Sequence, residues 1–265
     1  MGILTKTQDY DPVNTIAVIK RTKDDSETGG AVHFIEGDEH LDKNPETEAE
    51  SEIRATDDFY FSTLPRNPFE RQFVTYCAGK KGCGKTTNMA KWMFNYKQLT
   101  GNPVFLISSK ESDQTIDEYV GEDNINRIST DEFDDPETMP QLSDFENCLV
   151  CFDDFMNDNN TKNILHLMNQ IAERGRQPKV SMFTIFHNIT NSHKTKLILT
   201  EADYFIIFPS NLSNHNYRYF MQNYGSISDK KTLKKIRKES GKAVLISVEP
   251  KYVVCSQLIF IPLHG

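Results

Sequence analysis

Apolar residues in this chain fall into two recurring patterns. Near-continuous apolar runs occupy Phe73–Cys77, Val104–Ile107, Cys148–Phe152, Val180–Phe186 and Tyr204–Phe208. Runs this short, bounded by polar residues, predict strands buried on both faces. Between them apolar residues recur at helical spacing. Met89, Met93 and Tyr96 mark a helix over Thr86–Gln98, with Gly101 as its stop signal. Ile164, Leu167, Met168, Ile171 and Ala172 form one face of a helix over Lys162–Arg174, ended by Gly175. Weaker patterns predict a strand near Ile125–Ile128, helices over 194–202, His215–Tyr224 and Lys230–Ser240, and a closing pair of strands at Val244–Val248 and Tyr252–Cys255. Strands alternating with helices predict an α/β fold with a mainly parallel sheet covered by helices on both faces.

The chain ends read differently. Thr15–Ile19 and Ala31–Ile35 are strand-like and flank a polar turn at Gly29-Gly30. Residues 36–58 are acidic and poor in apolar side chains, which predicts a mobile linker. Phe59-Tyr60-Phe61 then leads into the first core strand. The expected organisation is an N-terminal segment of strands and acidic linker over 1–58, a core over 59–225, and a C-terminal segment over 226–265 with a basic helix and closing strands.

Composition narrows the classes. With 265 residues the chain is long enough for one sizeable α/β domain with additions. A net charge of −8 argues against a protein coated in nucleic acid, though a local basic groove remains open. The apolar runs are far too short to span a membrane, and no charged start with an apolar core predicts a signal peptide. Five cysteines, an odd number without a disulfide framework, predict a reducing compartment. Cys148 and Cys151 lie three apart in a strand and point to opposite faces, so they are not expected to share a metal.

Gly79-Lys80-Lys81-Gly82-Cys83-Gly84-Lys85-Thr86 satisfies the pattern G-x-x-x-x-G-K-[ST], between a predicted strand and a predicted helix. Gly79, Gly82 and Gly84 let the loop wrap closely with its N–H groups inward, and the helix N-terminus adds partial positive charge. Lys85 is expected to reach the β- and γ-phosphates, Thr86 to offer its hydroxyl to Mg2+, and Thr87 to add an α-phosphate contact. Cys83, beside Lys85, reads either as a thiol of lowered pKa or as a small loop residue.

The Cys148–Phe152 run ends in Asp153-Asp154. Asp153 is expected to hold Mg2+ and Asp154 to activate or position the attacking water. His187 or Asn188, at the end of the next strand, is the candidate γ-phosphate sensor; a satisfied turn histidine is the alternative. Arg174 and Arg176 follow the helix after the paired acids. Arg176 is the candidate arginine finger, in cis or toward a neighbouring subunit, against the plainer reading of a charged helix end. Lys230, Lys231, Lys234, Lys235, Arg237 and Lys238 form the dense basic cluster, either a nucleic-acid contact or a solvated helix face.

Together these motifs, with Arg174-Gly175-Arg176, Ser181 through His187 and Ala202 through Phe208, resemble the DNA-packaging ATPases of large DNA viruses in the FtsK–HerA superfamily. The resemblance spans roughly residues 59–225. It implies a RecA-like phosphate-loop NTPase core that uses ATP and Mg2+ to pump double-stranded DNA. It also implies a homo-oligomeric ring, pentamer or hexamer, docked on a capsid or portal-vertex protein, in the host cytoplasm or the virion. The chain departs from the family where Asp154 replaces a frequent Glu and where His187 stands in place of a usual Gln. A small-molecule or nucleotide kinase, or a structural protein gated by nucleotide, are the competing readings. A kinase of that sort usually carries an arginine-rich lid, which the sequence does not contain.

Overall fold

The computed structural model describes residues 3–6, 15–21, 30–37, 51–52, 59–62, 68–69, 71–156, 159–189, 195–240, 242–249, 252–255 and 258–262. The chain forms two compact units, one of residues 67–206 and one of residues 1–66 with 207–265. The two chain ends, read from sequence as separate segments, thus share a unit.

In that unit the N-terminal strands are β1 (Ile3–Lys6), β2 (Thr15–Arg21), β3 (Gly30–Gly37), β4 (Ser51–Glu52) and β5 (Phe59–Ser62). The pairs β1–β5, β5–β2 and β2–β3 are antiparallel. Most of the acidic stretch expected as a linker lies outside the described residues; its Ser51–Glu52 pairs with β2 as β4.

The second unit holds the chemistry. Its strands are β6 (Val74–Ala78), β7 (Val104–Ser108), β8 (Asn126–Ser129), β9 (Cys148–Asp153), β10 (Val180–Phe186) and β11 (Tyr204–Ile207), in the order β11-β6-β10-β9-β7-β8. The neighbours β6–β10, β10–β9, β9–β7 and β7–β8 all run parallel. Helices α1 (Lys85–Thr100), α2 (Gln114–Val120), α3 (Thr161–Arg174) and α4 (Lys196–Glu201) connect them. Every residue of β6, β9 and β10 is buried, as the solid apolar runs demand.

Large rings fill the space beneath α1. Trp92 meets Phe73, Phe183 and Tyr204 edge-on at 5.5, 5.3 and 6.1 Å, and Tyr76 stacks on Phe186 at 4.7 Å. Gly101 ends α1 in the left-handed conformation. Gly175 ends α3 for another reason: its backbone is right-handed, but a Cβ there would lie 2.5 Å from the Ile171 carbonyl oxygen, 2.6 Å from Gln72 Oε1 and 2.9 Å from the Val180 carbonyl oxygen. Only a residue without a side chain lets the chain turn this tightly into β10.

The chain then returns to the first unit through α5 (Asn214–Asn223), α6 (Lys230–Glu239), β12 (Val244–Ser247), β13 (Tyr252–Cys255) and β14 (Leu258–Pro262). The predicted closing pair is present, and β14, which no sequence pattern predicts, joins it to β3. On α6, Thr232, Leu233 and Ile236 are buried while Lys230, Lys231, Lys234, Lys235 and Lys238 lie on its polar side. Arg237 leaves the expected basic cluster: its guanidinium lies over the Tyr217 ring and donates to the Leu212 carbonyl oxygen at 2.9 Å.

Candidate nucleotide site

In a parallel sheet the crevice beyond the carboxyl ends of the strands collects functional residues. Here β6, β9 and β10 end together, since Ala78 pairs with Phe186 and Thr184 with Phe152. The Gly79 N–H donates to the Phe186 carbonyl oxygen at 3.1 Å, fixing the start of the glycine-rich loop to the end of β10. Gly82 and Gly84 take φ values of 77° and 101°, which a side chain would resist. Gly84 is also the N-cap of α1, so the loop's N–H groups run into the positive end of the helix. Lys85 is 6% exposed and donates from Nζ to the Lys80 carbonyl oxygen at 3.0 Å. Lys80, Lys81 and Gly82 form the outer rim of the loop; Cys83, Thr86 and Thr87 are half-buried beneath it.

Asp153 ends β9 directly opposite. Thr86 Oγ1 donates to Asp153 Oδ2 at 3.2 Å. Burial, then the Asp154 charge, push the Asp153 carboxyl above the usual range; the Thr86 hydroxyl, Lys110 and the Asp154 peptide N–H offset part of this. A buried carboxylate beside a hydroxyl is an oxygen pair suited to Mg2+, which takes few protein ligands and completes its shell with phosphates and water. No group of three or more His, Cys, Asp or Glu residues among those described forms a metal cage. Cys148 and Cys151 are buried thiols, and burial pushes Cys148 up to about 12.

Asp154 follows with φ 49°, a left-handed conformation that Asp tolerates better than most residues. Its carboxylate lies between two nitrogens. Lys110 Nζ is 2.5 Å from Oδ2, and His187 Nε2 is 3.6 Å from Oδ1. Burial raises the Asp154 carboxyl, but Lys110 and His187 outweigh it and hold it below the ordinary value. The Asp154 hydrogen bond in turn raises the Lys110 ammonium. Ser109, Asp154, Phe155, Met156, Ile185 and His187 line a pocket of about 190 Å³. The Tyr76 hydroxyl bonds the Asn188 and Ile189 carbonyl oxygens at 3.3 and 3.1 Å, steadying the chain after His187.

The structure thus brings together Lys85, Thr86, Asp153, Asp154 and His187. Arg176 does not join them. It is exposed on the turn before β10, next to the starts of β9 and β10, where Pro178 accepts from the Asn147 N–H. The seven residues of β10 separate that turn from His187, roughly 20 Å at the rise of a strand. A cis arginine-finger role is excluded by this direction of the chain. Lys110 is the site residue that sequence reading missed. The available signal was its place just past the carboxyl end of a buried strand.

The strand order, with β10 set between the strand of the glycine-rich loop and the strand of the paired acids, and this site define a phosphate-loop NTPase fold. No family model matches the chain. "Uncharacterized protein V3" of Sputnik virophage is 29% identical over 164 residues, 60% of this chain and 64% of that protein. The chain therefore spans less than two thirds of that relative's length. Among solved structures, the genome packaging NTPase B204 of Sulfolobus turreted icosahedral virus 2, in complex with AMPPCP, has a TM-score of 0.48 at 10% identity, over 75% of this chain and all of that one. The pCW3 conjugation coupling protein TcpA, in its ATPγS form, has a TM-score of 0.41 at 10% identity, over 93% and 89%.

Proposed function

We propose that this chain is an ATP-hydrolysing motor that moves double-stranded DNA, and that its task is to package a viral genome into a capsid. The observation that carries the hydrolytic reading is the junction of Thr86 with buried Asp153, with Asp154 beside it at the mouth of the sheet. The loop N–H groups and Lys85 bind and orient the β- and γ-phosphates. Thr86 and Asp153 hold Mg2+, which when bound neutralises charge on the phosphates. Asp154 accepts the proton of the attacking water, and His187 stands within reach of the γ-phosphate side. A kinase has no need of a second carboxylate at this position.

The DNA reading rests on the order of the motifs and on the lysine face of α6, a source of sequence-independent phosphate contacts. In it, copies of the chain form a ring of five or six on a capsid or portal-vertex protein, in the host cytoplasm or the virion, and Arg176 completes a neighbour's site. No helix among the described residues is long and apolar enough to cross a membrane.

The test is hydrolysis of ATP by the purified chain with and without linear duplex DNA, alongside its oligomeric state under both conditions. Turnover stimulated by duplex DNA in a ring-sized species is the expected result. Turnover that needs a small-molecule acceptor would make it a kinase. Binding without turnover would make it a nucleotide-gated scaffold.

A further inference from the structure

Ser109 and Lys110 follow β7 directly, and β7 lies against β9 with Ser108 opposite Asp153. Both residues therefore reach Asp154 from one side. The Ser109 hydroxyl donates to the Asp154 carbonyl oxygen at 2.7 Å, and the Lys110 ammonium stands 2.5 Å from Oδ2. The other carboxylate oxygen faces His187. A base takes a proton through an oxygen lone pair open to the water. Here both oxygens are turned toward nitrogens.

Lys110 has a second carboxylate within reach. Asp113 Oδ2 is 3.6 Å from its Nζ. Asp113 is the N-cap of α2 and accepts from the Thr115 and Ile116 N–H groups through Oδ1, which leaves Oδ2 on the Lys110 side. The Lys110 side chain is 49% exposed, so its ammonium can pass between the two acids without disturbing the core.

We propose that Lys110 is a positioning residue that restrains Asp154 as a base, and that turnover proceeds when its ammonium passes from Asp154 to Asp113. The inference rests on the hydrolytic reading given above and adds the group that governs it. It differs from a supporting role for Lys110 in the sign of the effect: removing a support lowers kcat, whereas removing a restraint raises it.

The test compares the full chain with Lys110→Met, Lys110→Arg and Asp113→Asn, measuring kcat and KM for ATP with and without linear duplex DNA. Lys110→Met should raise the DNA-free kcat roughly threefold to fivefold, about what a partly exposed ion pair can hold back. KM should stay within about twofold, since the ammonium restrains the base and not the substrate. Lys110→Arg, which keeps a cation at the same place, should bring the DNA-free rate back toward the parent's. Asp113→Asn removes the alternative acceptor and should lower the DNA-stimulated kcat. A parent that turns over ATP while Lys110→Met is equal or slower overturns the restraint and leaves the hydrolytic reading intact. An inactive parent with an active Lys110→Met supports the restraint. Inactivity of all four proteins, with and without DNA, overturns both.

Discussion

The Thr86 hydroxyl and the Asp153 carboxylate meet across 3.2 Å, joining the first turn of α1 to the end of β9. The two residues are 67 positions apart, and the strands that carry them are separated in the sheet by β10. One hydrogen bond therefore ties the phosphate loop to the acidic strand across an intervening strand. The chemistry expected on either side of it can be tested residue by residue.

Lys85→Ala should abolish nucleotide turnover and weaken ATP binding by roughly 10- to 100-fold, the worth of a charge-assisted hydrogen bond. The buried Lys85 ammonium is already held over the loop by the Lys80 carbonyl oxygen, so little reorganisation opposes its contact with phosphate. Calorimetric ATP binding with a phosphate-release assay checks both parts. Parent-like turnover would place the site elsewhere.

Asp154→Asn should bind Mg-ATP like the parent while turnover falls by about 10²–10⁴-fold, the usual contribution of a positioned base. Loss of binding instead would reassign Asp154 as a metal ligand.

Asp153→Asn should raise the melting temperature of the nucleotide-free protein by a few degrees while abolishing turnover. The buried Asp153 carboxyl titrates above its unfolded value, so the folded state binds the proton more tightly. That preference stabilises the fold below the unfolded pKa and is lost as pH rises through the higher folded pKa. Melting curves of parent and variant from acid to neutral pH should diverge in the variant's favour as pH rises. Parallel curves would mean the carboxylate is not strained by its burial.

DNA affinity should be independent of sequence and fall steeply with salt. Replacing Lys234, Lys235 and Lys238 with Gln should flatten the slope of log affinity against log salt by about 0.9 for each DNA phosphate that is no longer neutralised. These lysines lie on the polar side of α6, away from buried Leu233 and Ile236. An unchanged slope would move the DNA-binding surface elsewhere.

Arg176→Ala should leave ATP binding nearly intact and lower turnover by about 10³-fold or more, through a neighbour's site. Lys85→Ala subunits retain Arg176 and should restore partial activity to Arg176→Ala subunits in mixed rings. Strictly additive activity in assemblies shown to exchange subunits would leave Arg176 as a surface charge.

The phosphate loop and the acidic strand end were legible because each is local: a fixed spacing, a buried run, and the polar residues that must follow it. The main helices were legible for the same reason, to within two or three residues at their ends. What escaped depended on partners distant in sequence. The neighbour of β9 is β7, and only that adjacency brings Lys110 to Asp154. The pairing of β3 with β14 joins residues more than 200 positions apart, which no local pattern encodes. Arg176 was different. A turn that precedes a parallel strand lies at the edge opposite the site, so the direction of β10 already spoke against a cis role. Gly175 was read correctly as a stop, but its cause is contact with Gln72 and Val180 rather than a left-handed backbone.

Strand β10 joins two exposed points through the middle of the sheet. Arg176 and His187 lie just beyond its two ends, and all seven of its residues are buried. It is flanked on both edges by parallel strands, and at its start Gly175 leaves no room for a Cβ. Close-packed interiors transmit displacement because they have no slack to absorb it. A push on the exposed turn therefore travels along a stiff rod to the pocket where Asp154 and His187 face each other.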